Sequence, residues 1–274
     1  VSRAAAAHGV SQPSASSRIK HLERQLGMRL LDRGPSGSLP TDAGVVVAGW
    51  AETILRAAHE LEAGLSAFQA AQAGRLRIVA SFTIAEYLLP QWLDRFSRDH
   101  PRDSIALEVA NSTTVIDRLR HGAADLGFIE TPSELDGLDE AIVGNDELVT
   151  VVAPSHPWAT PRTVPVEARA ATPLVMREAG SGTRAALAAA LRDLGLGEPS
   201  AVLELGSTSA VRAAVVHGNS PTVISRLAVA AEVAAGQLVE IDVPGLSVAR
   251  HLRAVWPAGT ALPSLACELL DDIR

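Results

Sequence analysis

The 274-residue chain predicts an α/β protein in three parts: a small helical head, one long linking helix, and a two-lobed body in which strands and helices alternate. Three observations predict it. Residues 1 to 40 carry six basic residues (Arg3, Arg18, Lys20, Arg24, Arg29, Arg33) against Glu23 and Asp32, a net of +4 that leaves −11 on the remainder of a chain totalling −7. A proline-free stretch from Asp42 to Ala73 repeats apolar residues at alternating spacings of four and three. Beyond Gly74, short apolar runs alternate with helix-forming stretches twice over, the signature of crossover helices between parallel strands. A basic end on an acidic body is the charge layout of a DNA-binding head joined to a second module.

Composition excludes several classes. At 47% hydrophobic and 20% charged residues the chain is globular and long enough for two or three modules. No run approaches the ~18 to 20 apolar residues of a membrane span and no charged-then-apolar leader is seen, so a cytoplasmic protein without membrane contact is expected. Cys267 is the single cysteine, which excludes an internal disulfide and makes a thiolate metal site unexpected.

The head starts with an alanine run, Arg3 to His8, of high helix propensity, and Gly9 stands where a left-handed stop is needed. Ser11 is placed to cap a second helix, with Gln12 and Pro13 in a first turn where a missing N–H costs nothing. Ala15, Ile19, Leu22 and Leu26 share one stripe of that helix, and Pro13, Ser17, Lys20 and Arg24 point the other way. Small hydroxyls permit close approach to a major groove, Gln12 can read a base edge, and the cations reach phosphates.

The run "SRAAAAHGVSQPSASSRIKHLERQLGMRLLDR" followed by "LPTDAG" closely resembles the winged helix-turn-helix of LysR-type transcriptional regulators, and the order of segments downstream resembles that family along the whole chain. The resemblance implies a recognition helix over residues 11 to 23, with Ser11, Gln12, Pro13, Ser14, Ser17, Arg18 and Lys20 at DNA, and a wing from Arg29 to Thr41 that places Arg33 at the backbone or minor groove. Leu31 stands where the family commonly has an aromatic residue. The family's opening helix would precede Val1; without it Ala4, Ala5, Ile19 and Leu22 lack their cover, and the chain as given is expected to bind DNA weakly.

The long helix, residues 42 to 73, aligns Val47, Ala51, Ile54, Ala58, Leu61, Leu65 and Phe68 as a heptad seam ~48 Å long. Its length and position favour pairing of two chains over burial within one, so a dimer or tetramer gripping two half-sites is expected.

In the body (75 to 274), strands are expected at 75–80, 104–109, 125–129 and 147–153, then at 172–176, 201–205, 221–225 and 237–241. Residues 248–256 read as a return strand and 263–273 as a last helix. Lobe I would comprise about 75–150 with 248–274, and lobe II about 153–246. This plan resembles the two-lobed, Rossmann-like effector domain of the family and the periplasmic solute-binding proteins. Hydroxyls recur at strand ends in both lobes: Ser81 and Thr83, then Ser112 and Thr113, Ser181 and Thr183 in "GSGTR", and Ser207 in "GSTS". Ligands of parallel sheets bind at such carboxyl ends, where helix N-termini favour anions. Arg184, a cation in a helix's first turn, opposes the dipole by roughly 0.3 to 1 kcal/mol and so calls for an anionic partner.

The sequence holds no G-x-S-x-G, H-E-x-x-H, G-x-G-x-x-G or P-loop, so neither catalysis nor a cofactor nor a metal is expected. The reading is a ligand-responsive regulator of promoter DNA, with a small anionic metabolite as effector, self-association, and contact with RNA polymerase. The alternative is the solute-binding protein of a transport system, for which a basic head has no use.

Overall fold

The computed structural model describes Ala5 and residues 9–34, 37–72 and 75–273; the side chains of residues 33, 34, 37, 59, 60 and 62–72 lie outside that description. The chain divides into two compact units, Val1–Leu61 and Glu62–Arg274, a division that falls inside the long helix rather than at its ends.

In the first unit the expected helix Arg3–His8 lies outside the described residues apart from Ala5, which is buried. Gly9 takes the left-handed conformation (φ +62°) that ends such a helix. α1 (Gln12–Leu26) begins as its residues dictate: Ser11 is extended, and its hydroxyl accepts from Ser14 N–H at 3.3 Å. Gly27, at φ +67°, closes it. β1 (Leu31–Gly34) and β2 (Gly37–Pro40) then form an antiparallel hairpin. The Glu23 carboxylate accepts from the N–H groups of Leu30 (2.8 Å) and Leu31 (3.2 Å), which fastens the base of the hairpin to α1. Thr41 closes the hairpin onto α2 (Asp42–Gln72): its hydroxyl donates to Arg29 C=O and accepts from Gly44 N–H. Along α2, Val47 is half-buried, whereas Ala51, Ile54, Ala58 and Leu61 are exposed. The side chains of Leu65 and Phe68 lie outside the described residues.

The second unit runs β3 (Arg75–Ser81), α3 (Phe82–Tyr87), α4 (Leu89–Asp99), β4 (Ser104–Ala110), α5 (Ser112–Arg120), β5 (Leu126–Ile129) and β6 (Leu138–Val152). It continues with α6 (Val166–Ala171), β7 (Leu174–Arg177), α7 (Gly182–Asp193), β8 (Ala201–Leu205), α8 (Thr208–His217), β9 (Thr222–Ser225) and α9 (Arg226–Ala234). β10 (Val239–Ile241), β11 (Val248–Pro257) and α10 (Ser264–Ile273) complete it.

Strands β4, β3 and β5 are parallel, as are β7 and β8. The parallel pattern expected from the alternation gives way at the crossing, where the expected return strand lies. β6 carries the chain from lobe I into lobe II and β11 brings it back, so the two run antiparallel along their length. β11 also pairs antiparallel with β5, and β9 and β10 pair antiparallel with β6. One seven-stranded sheet, ordered β10-β6-β11-β5-β3-β4 with β9 also on β6, therefore threads both lobes. β6 begins at Leu138, nine residues before the expected 147, because its first half is largely open and its charges hide the alternation.

Each lobe buries both faces of its central strands, while β4 and β8 stay largely exposed. In lobe I, Ile78, Phe128 and Leu252 pack under α3, α4 and α10, while Val79, Ile129 and Val255 meet Val115 and Leu119 of α5. In lobe II, Val149, Val151 and Val175 meet Val211 and Val215 of α8, and Leu174 and Met176 meet Leu187 and Leu191 of α7. Each such side chain contributes about 1.5 to 3 kcal/mol. These layers hold the strand ends of the two lobes opposite one another.

Candidate functional site

The hydroxyls expected at the strand ends fall into two groups. Ser81, Thr83, Ser112, Ser181 and Thr183 are all buried. Thr113, at the first turn of α5, reaches across to lobe II: its N–H and its hydroxyl both donate to the Gly180 carbonyl, at 3.2 and 3.3 Å. Asn111 caps the same helix by accepting from Thr114 N–H, and its amide donates to Glu178 of lobe II at 3.2 Å. A Cβ on Gly182 would stand 2.8 Å from Ser112 Oγ and 2.9 Å from Thr131 N, so glycine there is what lets the start of α7 lie against lobe I. Ser207, by contrast, is occupied as the cap of α8, accepting from Ala210 N–H at 3.2 Å.

Arg184 corrects the expectation of a cation in the cleft. Its guanidinium turns outward to Glu204 of β8 and to the carbonyl of Arg177. The dipole argument for an anionic partner holds, but the partner is a surface carboxylate 20 residues further along the chain.

The buried cation is Arg250, on β11. Its Nε and Nη2 donate to Asp146 Oδ2 at 2.8 and 2.6 Å, its Nη1 donates to Thr183 Oγ1 at 3.0 Å, and its Nη2 donates to Thr83 Oγ1 at 3.2 Å. One guanidinium thus holds a hydroxyl from each lobe. Ser225 Oγ donates to the other Asp146 oxygen at 2.9 Å, and Glu130 Oε1 lies 3.7 Å from Arg250 Nη1. Charge-assisted bonds in a dry site are strong, and each group would be costly to bury unpaired. Around this network Ser81 Oγ, Ser112 Oγ and Glu130 Oε2 have no hydrogen-bond partner among the described residues. A cavity of about 560 Å³ opens beside Glu130, Thr131 and Arg250, between Ala186 and Ala190 of α7 and Val248 of β11; the expected hydroxyls do not line it.

Two further contacts join the lobes. Arg177 donates to Thr208 and lies 4.5 Å from the ring centroid of Phe82. Arg212 of α8 donates to the hydroxyl of Tyr87 on α3 at 2.9 Å, and burial pushes the Tyr87 phenol up to about 12.

On the head, Ser11, Gln12, Pro13, Ser17, Arg18 and Lys20 are exposed and Ser14 is half-buried. Ser17, Lys20, Arg24 and Arg29 rim one shallow depression together with Glu23. Arg33 lies in β1 with its side chain outside the described residues.

A family model described as the LysR substrate binding domain matches residues 69–274, and one described as the bacterial regulatory helix-turn-helix protein, lysR family, matches residues 1–45. The chain belongs to the LysR family of transcriptional regulators. Rv2282c of Mycobacterium tuberculosis (strain ATCC 25618 / H37Rv), named an uncharacterised HTH-type transcriptional regulator, is 45% identical to this LysR-family chain over 276 residues, covering 97% of this chain and 88% of that protein. The regulatory domain of Synechocystis PCC6803 CcmR, solved in complex with 2-PG, matches with a TM-score of 0.66 at 27% identity, over 73% of this chain and 95% of that one. A full-length OxyR variant from Pseudomonas aeruginosa shares the fold with a TM-score of 0.63 at 24% identity, over 99% of this chain and 93% of that one. The protein is a LysR-type DNA-binding regulator with an effector-binding domain. Among its described residues no helix is long and apolar enough to cross a membrane.

Sequence reasoning missed Arg250, Asp146 and Glu130 in this LysR-type domain. A signal existed for the first two: Val248, Arg250, Leu252 and Ala254 alternate inward on β11, and Asp146 shares the period of Leu148 and Thr150 on β6. A charge at an inward position of an alternating strand demands a partner. Glu130 directly follows the wholly buried β5, another end of a parallel strand.

Proposed function

We propose that this LysR-type regulator binds promoter DNA through Ser11, Gln12, Pro13, Ser14, Ser17, Arg18, Lys20 and Arg33, and that a small anionic metabolite held by Ser81, Thr83, Ser112, Thr113, Ser181 and Thr183 controls that binding. The observation that carries the effector site is Arg250 holding Thr83 of one lobe and Thr183 of the other, while Ser81 Oγ and Ser112 Oγ, also at strand-to-helix junctions, have no partner among the described residues. Hydroxyls with spare donors at the N-termini of α5 and α7 suit an anion. The 2-PG complex of the related CcmR domain supports the same class of effector. A ligand that resets the Arg250 contacts changes the angle between lobes and, through α2-paired heads, the spacing of DNA contacts and the surface offered to RNA polymerase. The chain acts as a cytoplasmic homo-oligomer and as a regulator rather than an enzyme.

The test combines calorimetry against a panel of small carboxylates and phosphates with a gel shift on DNA flanking the gene. Ser112→Ala and Thr183→Ala should each weaken ligand binding several-fold to a hundredfold, at about 0.5 to 3 kcal/mol per hydroxyl. Gln12→Ala should relax base preference, while Lys20→Ala and Arg33→Ala should weaken binding to all DNA sequences and lower the salt slope by roughly one counterion. Ligand affinity unchanged in both hydroxyl variants would remove the effector from this cleft.

A further inference from the structure

The cleft contains more acceptor than an anion needs. Asp146 takes two bonds from Arg250 and one from Ser225, which satisfies both of its oxygens. Glu130 is only 2% exposed, lies 3.7 Å from Arg250 through one oxygen, and its Oε2 has no partner among the described residues. Two carboxyl groups therefore share one guanidinium whose remaining N–H groups already go to Thr83 and Thr183. Ser81 and Ser112, each 1% exposed, have hydroxyls without a hydrogen-bond partner among the described residues; Ser81 ends β3, which pairs with the β5 that Glu130 follows, and Ser112 Oγ and the Glu130–Thr131 backbone converge on Gly182.

A hydroxyl can donate to an anion, but an ionised carboxylate can only accept. A ligand oxyanion stripped of every proton would satisfy Ser81 and Ser112 and face Glu130 with like charge and no bond. An oxyacid group that keeps one O–H has both faces: its bare oxygens accept from the serines, and its O–H donates to Glu130 Oε2. Neither Ser81 nor Ser112 makes that distinction, because a hydroxyl serves as donor or acceptor at will.

We infer that Glu130 makes this cleft selective for an effector whose oxyanion retains an O–H donor at neutral pH, as inorganic phosphate does, and rejects sulfate. The inference rests on the effector site proposed above and names what that site discriminates.

Inorganic phosphate and sulfate serve as probes because they match in size and geometry and differ at neutral pH in the retained proton. Calorimetry at pH 7 on the full chain should show phosphate binding at least tenfold more tightly than sulfate. Glu130→Gln, which presents an amide donor in the same volume, should bring the two within about threefold of one another, chiefly by a gain for sulfate. Ser112→Ala should weaken both anions alike. Sulfate matching phosphate in the unaltered protein, or no binding of phosphate at all, overturns the inference, as does a preference that survives Glu130→Gln. The unaltered protein's ratio decides the matter even where Glu130→Gln does not fold. Anions that still discriminate but ignore Ser112→Ala would instead displace the site from this cleft.

Discussion

At the scale of single residues, three arginines of lobe II and β11 show what decides where a charge goes. Arg184 and Glu204 are partly open, so their ion pair is worth about 0 to 1 kcal/mol. Arg184→Ala should accordingly leave effector affinity within about twofold, as read by calorimetry. Arg250 is sealed between two carboxyl groups. Arg250→Ala strands both of them and should cost about 3 to 5 kcal/mol in chemical denaturation. Arg169 on α6 is the opposite case: it is 0% exposed, and none of its guanidinium nitrogens has a hydrogen-bond partner among the described residues. Burial pushes its guanidinium down to about 10, which still leaves it charged at neutral pH. An unpaired buried charge destabilises, so Arg169→Met should raise stability by about 1 to 4 kcal/mol, and an unfolding midpoint below that of the unaltered protein would show that a partner has been lost.

At the scale of elements, α1 and α2 illustrate how far local rules reach. The cap at Ser11, the left-handed glycines at 9 and 27 and the apolar stripe all follow from neighbours within four residues. The hairpin after α1 is different, since Glu23 must reach Leu30 and Leu31 to hold it, and that bond was not legible in the sequence. On α2, Ile54 is 69% exposed and Leu61 is 65% exposed, with Trp50 and Leu55 open beside them. So much apolar surface on one long helix fits a seam closed by a second chain. Ile54→Asp with Leu61→Asp places four carboxylates in such an interface, each costly to bury unpaired. Sedimentation should then show loss of the helix-mediated dimer, and an unchanged mass would mean that the seam pairs with nothing.

At the scale of the whole effector domain, β6 and β11 form a two-strand bridge, and the contacts across the cleft determine which arrangement of the lobes is stable. Glu178 is one such contact, bonded by Arg177 on its own side and by Asn111 opposite. Burial raises its pKa, but the hydrogen bonds and charge of Arg177, with the bond from Asn111, outweigh burial and hold it below the usual carboxylate range. A depressed pKa means that the unfolded chain takes up its proton first. The stability contributed is present above the ordinary carboxylate pKa and is lost as pH falls through the lowered one. Denaturant melts between about pH 6 and pH 3 should show a steeper loss for the unaltered protein than for Glu178→Gln, which starts less stable and changes less. Parallel curves would mean that this carboxylate is not linked to folding.

The alternation of strands with helices, the basic head, the heptad seam and the hydroxyls at strand ends were all present in the amino-acid order, because each depends on a period of two or four residues or on a cap three residues away. The pairing of the bridge strands and the partners of the charges at the cleft were decided by tertiary structure. Arg250 finds Asp146 across 104 residues, Thr83 across 167 and Thr183 across 67. Arg184, which the sequence placed in the cleft, finds Glu204 outside it. A side chain's chemistry is local, whereas its partner is chosen by strand order, which puts β11 beside β6 and brings Arg250 to Asp146.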